Sequence, residues 1–352
     1  MSFKSDILHY KGEILGLLLY IIKRILFLFI LIIGVATMVF IISHMVPSDP
    51  VAAFLSDRSL NNPEIVEAFK IKWGLDKPLH IQYLVYMKSL LRGDLGTSMR
   101  TKRPVITDLI QFLPATVELA FFSMIIATLL GVLFGIISAM KQNSLLDQVF
   151  RTISVIGVSI PPFWFALVML FVFYVGLHWL PGPGRISLSI EPLVSNTNFY
   201  ILGSILQGNW VVALDSFKHI ILPSVVLGSF HLGLISRTTR ANLLETLSTD
   251  YIRTAKAKGL SEGLIIRRHA LGNALIPVIT VIGIGLANLL GGTVLIENIF
   301  SWPGIGRYAY LSVINLDFAA ITGVALLIAV AYLIVNLVVD ILYGVIDPRV
   351  RY

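Results

Sequence analysis

The 352-residue chain contains no cysteine, and Asp, Glu, Lys and Arg together supply only 13% of it. The missing thiols exclude structural disulfides, thiolate metal sites and a cysteine nucleophile, and say little about compartment. The shortage of charge is more decisive. A soluble chain carries about 25% charged residues to cover its core. This one is 56% hydrophobic with a mean hydropathy of +0.85. Lipid is the solvent that removes the need for a polar surface. Two chemistries also lack their signatures. The seven histidines (His9, His44, His80, His178, His219, His231 and His269) are scattered and form no H-E-x-x-H pair, so no metal site is expected. No G-x-x-x-x-G-K-[ST] loop occurs, so the chain shows no means of cradling nucleotide phosphates itself.

What the chain has in abundance is uncharged runs. Stretches free of Asp, Glu, Lys and Arg cover 25–48, 119–140, 152–184, 219–236, 269–296 and 318–339. A helix needs about 20 apolar residues to cross about 30 Å of hydrocarbon, so each run holds one crossing and six spans are expected. The 33-residue run at 152–184 is too short for two crossings and a turn. Its Pro161-Pro162 pair is expected to kink one helix or to begin its embedded part. Residues 192–214 carry no charge, yet Ser195, Asn196, Asn198, Gln207 and Asn209 suit lipid poorly. An external loop with a short interfacial helix over 200–214 is expected there. The stretch 14–22 is nine residues long and stops at Lys23-Arg24, a length that fits a helix lying in the interface. The run at 25–48 lacks an A-x-A-like site and is too long for a leader, so a retained span is expected.

The formal charge of +7 does not point to nucleic acid, because most Lys and Arg sit between apolar runs and not on one face. They orient the chain instead. The 237–268 connection holds seven basic residues, Arg237, Arg240, Arg253, Lys256, Lys258, Arg267 and Arg268. The N-terminal segment holds four, Lys4, Lys11, Lys23 and Arg24, and the candidate external stretch 298–317 holds one, Arg307. The nine in 44–111 belong to a loop too long for the rule to cover. Both termini and the 240–272 loop are therefore expected inside, with a large outer loop after the first span.

The inner loop has its own local logic. Ser248, Thr249 or Asp250 can cap a helix start, and Gly259 suits a left-handed helix end. The spacing predicts a short basic helix between them and a second helix from Ser261 through Arg267, Arg268 and His269 into the fifth span. Alanines on the first helix allow another protein's surface to approach closely. An ordinary positively charged loop explains the basic residues equally well.

The string Tyr251-x-Arg253-Thr254-Ala255-x-Ala257-Lys258-Gly259-Leu260, followed by Arg268-His269-Ala270-Leu271-x-Asn273-Ala274-Leu275-Ile276-Pro277, resembles the EAA-type coupling loop of ABC importer permeases. The version is that of the dipeptide/oligopeptide/nickel family. Similar family patterns recur along the chain in order. They are Lys23-Arg24; Val46-Pro47-Ser48-Asp49-Pro50; Gly74-Leu75-Asp76-Lys77-Pro78-Leu79 with Gln82-Tyr83; Arg92-Gly93-Asp94-Leu95-Gly96-x-Ser98; Arg103-Pro104-Val105; Pro114-Ala115-Thr116-Val117-Glu118-Leu119; Ser301-Trp302-Pro303-Gly304-Ile305-Gly306-Arg307; and Asp347-Pro348-Arg349. Two departures stand out. The general Glu-Ala-Ala is here Arg253-Thr254-Ala255, and the usual Pro-Gly-Asp-Pro is Pro47-Ser48-Asp49-Pro50.

The resemblance implies an all-α integral membrane protein with the type I ABC importer permease fold and a large extracytoplasmic loop after the first span. It divides the chain into 1–24, a cytoplasmic or interfacial segment; 25–43, the first transmembrane helix; 44–111, the outer loop; 112–345, the core with its coupling loop at 240–272; and 346–352, a cytoplasmic tail. It further implies a prokaryotic inner-membrane location, a homologous second permease, two ATPase subunits holding ATP and magnesium, and an external substrate-binding protein. The cargo it implies is a di- or oligopeptide, with a nickel chelate or oligosaccharide as other members' cargo. ATPase coupling would fall to Tyr251, Arg253, Thr254, Ala255, Lys256, Ala257, Lys258, Gly259 and Leu260.

Outside that loop, Glu118, Ser154, Ser159 and Asn288 are candidates to line the path, since polar groups in a span are expensive and often functional. Glu118 has a structural alternative in pairing with a loop base such as Arg103, and Asp340 reads as interfacial. Gly131-x-x-x-Gly135 and Gly283, Gly285, Gly291 and Gly292 allow close helix approach, either within the subunit or toward a partner permease. Apolar spacing over 62–73 predicts a helix in the outer loop, as a docking surface or a mere cap. Two other classes are weighed. An ion-gradient-driven secondary transporter calls for inverted repeats and mid-membrane charge, and neither is evident. An intramembrane enzyme calls for a Ser–His or paired-Asp arrangement within spans, and none is evident.

Overall fold

The computed structural model describes residues 22–27, 29–42, 62–73, 77–190 and 198–346. Segments 46–50, 74–76, 192–197 and 347–352, the Asp340 side chain and all of the 14–22 segment except Ile22 lie outside the described residues. The described chain is almost wholly helical, with one isolated antiparallel bridge between Thr97 and Pro104. Among the described residues, four helices are long and apolar enough to cross a membrane: α1 (Ile22–Ile42), α4 (Val105–Met140), α8 (Trp210–Leu247) and α14 (Phe318–Ile346). Two bent pairs raise the number to six if each is one span. The first joins α5 (Leu145–Ser159) to α6 (Pro162–Gly176) at 108°, the second α10 (Glu262–Ala274) to α11 (Ile276–Gly291) at 51°. The first break falls at Pro161-Pro162 and the second at Leu275, two residues before Pro277. Proline lacks the N–H that would continue the ladder, and Ile160 before Pro161 is extended, as that position favours.

The uncharged runs understate the helices. α4 begins at Val105, inside the segment read as outer loop, because Asp108 and Glu118 are buried with partners and do not end it. At 1.5 Å per residue, α4 and α8 are about 54 and 57 Å long, so both extend beyond the hydrocarbon. The interfacial helix expected over 200–214 is shorter than that range: α7 covers Tyr200–Leu206 only. The chain turns at Gly208, with φ +70°, and Asn209 caps α8 by accepting the Val212 N–H. Residues 210–214 are thus the first turns of α8.

The chain forms two compact units, 1–110 with 309–352, and 111–308. In the first, Thr37 of α1 shares a 2.7 Å hydrogen bond with the Tyr83 hydroxyl on α3 (Leu79–Leu91), and Phe40 lies against Tyr83 and Tyr86. The Asp317 carboxylate accepts from Ser98 Oγ at 2.5 Å and from the Arg100 N–H, fastening the 98–104 turn to the start of α14. The helix expected over 62–73 is present as α2 (Pro63–Trp73).

The second unit is organised around α8, 67% of whose most apolar stretch is buried, against 33% for α4. Glycines set its spacing. A Cβ at Gly135 would lie 2.5 Å from Cβ of Thr239, and one at Gly131 would lie 2.8 Å from Ile235. Of the two uses open to the Gly-x-x-x-Gly face, packing within the subunit is the one observed. Gly285 of α11 likewise meets Met124 and His231. The core between these helices is largely aliphatic, with Leu119, Ile220, Leu222 and Ile235 almost fully covered and Trp302 fully buried among them.

Candidate functional site

The inner-loop helix is α9, Asp250–Ala257. Its C-terminus closes as a Schellman turn: Gly259 N–H donates to the Lys256 carbonyl and Leu260 N–H to that of Ala255. Gly259 takes φ +79°, and a side chain there would meet nothing within 4 Å, so backbone conformation and not crowding selects glycine. None of the three expected capping side chains closes the other end. Thr249 and Ser248 turn their hydroxyls back to the Thr246 and Glu245 carbonyls, satisfying the last turn of α8. Asp250 instead pairs with Arg253 across the exposed face, a contact that contributes little to stability.

One face of α9 is an anchor. Ile252 and Ala255 are buried in an apolar cluster with Ala139 of α4, Leu243 of α8 and Ile265, Ala270 and Ala274 of α10, with Leu260 packed on it. Ala255, expected to meet another protein, therefore faces this chain's own core. Tyr251 is tied as well: its hydroxyl accepts from Asn273 Nδ2 at 2.9 Å and donates to the His269 carbonyl. The other face presents Arg253, Thr254, Lys256, Ala257 and Lys258 outward. Beyond Ser261 the second expected helix is α10, whose Ile266–Ala270 stretch winds as a π-helix before the bend.

Glu118 is buried and pairs with Arg185 at 2.6 Å, not with Arg103, which pairs with Asp108. Its second oxygen accepts the N–H groups of Ile201 and Leu202 and so caps α7 from another helix. The Arg185 guanidinium also donates to the Asn198 carbonyl and lies 3.9 Å over the Tyr200 ring. The pairing use of Glu118 is the one the structure displays, and the sequence separation of the partners hid it.

Glu297, which the sequence reading used only as the end of an uncharged run, is a second buried junction. It accepts from Thr116 and Thr293 hydroxyls and from the Arg307 N–H at 2.8 Å, at the start of α13 (Ile305–Ile314). The Arg307 guanidinium turns instead to the Ser301 carbonyl. Burial pushes the Glu297 carboxyl up, and these hydrogen bonds pull it back only in part. Gly304 makes room for it, since a Cβ there would lie 2.5 Å from the carboxyl group.

The third junction is Asp147, which accepts from Ser138 of α4, the Asn143 N–H and two Arg240 nitrogens at 3.0 and 2.9 Å. Beside it a cavity of about 470 Å³ opens between α5 and α8. Ser154 and Ser159 line it together with Arg151, Arg237 and Arg240, whereas Glu118 and Asn288 are not part of its wall. Asn288 is exposed on α11. Arg237 and Arg240 passed in the sequence for orientation signals and Arg151 went unremarked; the i, i+3 spacing of Arg151 and Ser154 and the i, i+4 spacing of Ser236 and Arg240 are the signals that could have marked the cavity.

Known proteins agree with this architecture. Residues 131–352 match the model of the binding-protein-dependent transport system inner membrane component, and 17–120 that of its N-terminal region. The chain is 43% identical to the dipeptide transport system permease protein of Alkalihalophilus pseudofirmus over 96% of its own length and 100% of the relative's. It is 45% identical to the probable D,D-dipeptide transport system permease protein of Escherichia coli over 92% and 94% of the two. Among solved structures, an inward-facing MetNI methionine ABC transporter chain superposes with a TM-score of 0.52 at 18% identity, covering 68% of this chain and 96% of that one. That likeness shows a shared fold.

Proposed function

The chain belongs to the family of inner-membrane components of binding-protein-dependent transport systems, and from that premise we propose that it is the path-forming permease of a peptide importer powered by separate ATPase subunits. The observation that carries the coupling part is α9: a core-anchored helix closed at its C-terminus by Gly259, whose remaining face makes only a solvent-exposed Arg253–Asp250 pair among the described residues. A helix held through Ile252 and Ala255 to the ends of α4 and α8 passes a push to those helices and does not absorb it locally. Nucleotide binding on the ATPases shifts the permease only if it contacts the two permease conformations differently. Arg253, Thr254, Lys256, Ala257 and Lys258 supply those contacts. ATP and magnesium belong to the ATPases, a homologous permease completes the path, and an external protein delivers the peptide.

This reading places both termini and α9 on the cytoplasmic side. The absence of native cysteine makes the test direct, because Lys256→Cys introduces the sole thiol. An impermeant maleimide should label it in inside-out vesicles and not in right-side-out ones. For transport, the complex with its ATPases and binding protein is reconstituted in liposomes, and labelled dialanine uptake is followed. Uptake should require ATP and the binding protein. Uptake driven by an ion gradient without ATPases would overturn the assignment.

A further inference from the structure

We propose that the cavity between α5 and α8 is a binding site for the C-terminal carboxylate of the transported peptide, read by Arg151 and Arg237. The proposal rests on the peptide-permease reading and adds what the permease itself recognises. Its volume of about 470 Å³ is that of a small-molecule site. Of its three arginines, Arg240 is already neutralised by buried Asp147. Arg151 and Arg237, both exposed, make no ion pair or hydrogen bond among the described residues, leaving two guanidinium groups at one cavity free to meet a ligand. Arginine is suited to this task, since its planar fork meets a carboxylate with two parallel hydrogen bonds. Val155 and Val158 give the cavity an apolar wall for a peptide side chain, and Ser159 and Ser236 add hydroxyls. A second hollow of about 420 Å³, lined by residues of α5 alone, shares Arg151 and Val155 with the cavity.

The chemistry is one-sided. A peptide's amino terminus needs an acidic partner, and no Asp or Glu is among the cavity's lining residues; Asp147, bonded to the lining residues Arg240 and Ser138 and to the Asn143 N–H, is consumed. The site therefore reads the carboxylate end and ignores the amine. Its location also connects it to the drive. Arg237 and Arg240 lie on α8, about 15 and 10 Å along the helix from the end that leads into α9. A displacement of α9 carried by α8 moves these two arginines relative to Arg151 on α5, changing the grip on the carboxylate.

The test is equilibrium dialysis of labelled dialanine against the full-length chain in phosphatidylcholine nanodiscs. N-acetyl-dialanine should compete as well as dialanine, and dialanine amide about tenfold less well, the size of one lost charge-assisted contact. Arg151→Gln and Arg237→Gln should each weaken dialanine about tenfold and leave the amide unchanged, with Arg→Lys retaining part of the affinity. Neither arginine has an internal partner, so these variants keep the fold, which the unchanged amide binding verifies. Equal binding of acid and amide, insensitivity to both Gln variants, or no saturable binding overturns the site. So does displacement of dialanine by phosphatidylglycerol that the Gln variants abolish, which would assign the cavity to a lipid headgroup. Uptake by the complete importer separates the two claims. ATP-driven dialanine uptake without discrimination in dialysis sinks the site alone, and discrimination without uptake sinks the peptide-importer reading alone.

Discussion

Residues 297–307 and residues 250–260 both carry strings that resemble the same transport family, yet they relate to the molecule in opposite ways. In the first, each distinctive residue has an internal use. Glu297 caps α13, Gly304 and Gly306 leave room for its carboxyl, and Trp302 fills the core while its indole N–H donates to the Ala115 carbonyl. In the second, Ile252, Ala255, Gly259 and Leu260 build and anchor a helix, but the side chains of Lys256, Ala257 and Lys258 have no contact of note inside the described residues and Arg253 has only an exposed pair with Asp250. A motif exhausted by its own fold speaks of stability. One with an unused face speaks of a partner.

The comparison predicts that variants at buried junctions unfold the chain and variants on the α9 face do not. The largest loss should come at Glu118 and Arg185. Removing one member of a buried pair leaves the other uncompensated, at a cost of about 3–5 kcal/mol. Arg185→Met should lower the unfolding temperature in detergent sharply, and Glu118→Gln on top of it should recover part of the loss. A single variant with wild-type stability would break the internal account of this junction.

Next comes Gly304→Ala. The added methyl would lie 2.5 Å from the Glu297 carboxyl, and overpacking of that kind costs about 1–3 kcal/mol. Gly263→Ala is its control, since nothing lies within 4 Å of the new Cβ and the residue is in α10. There the same change should stabilise by about 0.5–1 kcal/mol through helix propensity. Opposite signs in thermal unfolding support the comparison, and equal signs break it.

Gly259→Val sits between the two classes. A β-branched residue at φ +79° costs about 1–2 kcal/mol, which a chain with an anchored α9 survives. The Schellman closure and the exit angle of α9 do not survive it. The chain should insert and assemble with its ATPases while binding-protein-stimulated ATP hydrolysis and uptake fall apart from one another. Wild-type uptake in this variant would remove α9 from the coupling path.

These contrasts also explain what could be read from the residues. The helical membrane class, the Pro161-Pro162 break and the Gly259 turn rest on local chemistry, and each is visible in a short window. Helix starts were misjudged at Val105 and Trp210 because a charge was taken as the end of a span. Asp108 and Glu118 are instead buried beside partners, and the Glu118 partner lies 67 positions away. Ala255 looked like a docking residue because a string does not reveal which face of a two-turn helix is anchored. Arg237 looked like an orientation signal and Arg151 drew no reading at all, because their shared cavity forms only when α5 packs on α8.

The smallest effect on the fold, and the most informative, is expected from the α9 face itself. Arg253→Ala, Lys256→Ala and Lys258→Ala combined remove three exposed charges, and the one ion pair among them is solvent-exposed with Asp250. Exposed pairs of that kind add almost nothing to stability, so the unfolding temperature of the chain alone should not move. If the face meets the ATPases, losing its charged contacts should weaken assembly about tenfold or more, as each 1.4 kcal/mol of interface energy is a factor of ten. The weakening should grow less visible as salt is raised, because screening already suppresses those contacts in the wild type. A triple variant that assembles and transports normally would show that the unused face is only a solvated helix surface, and the distinction between the two strings would then carry no functional meaning.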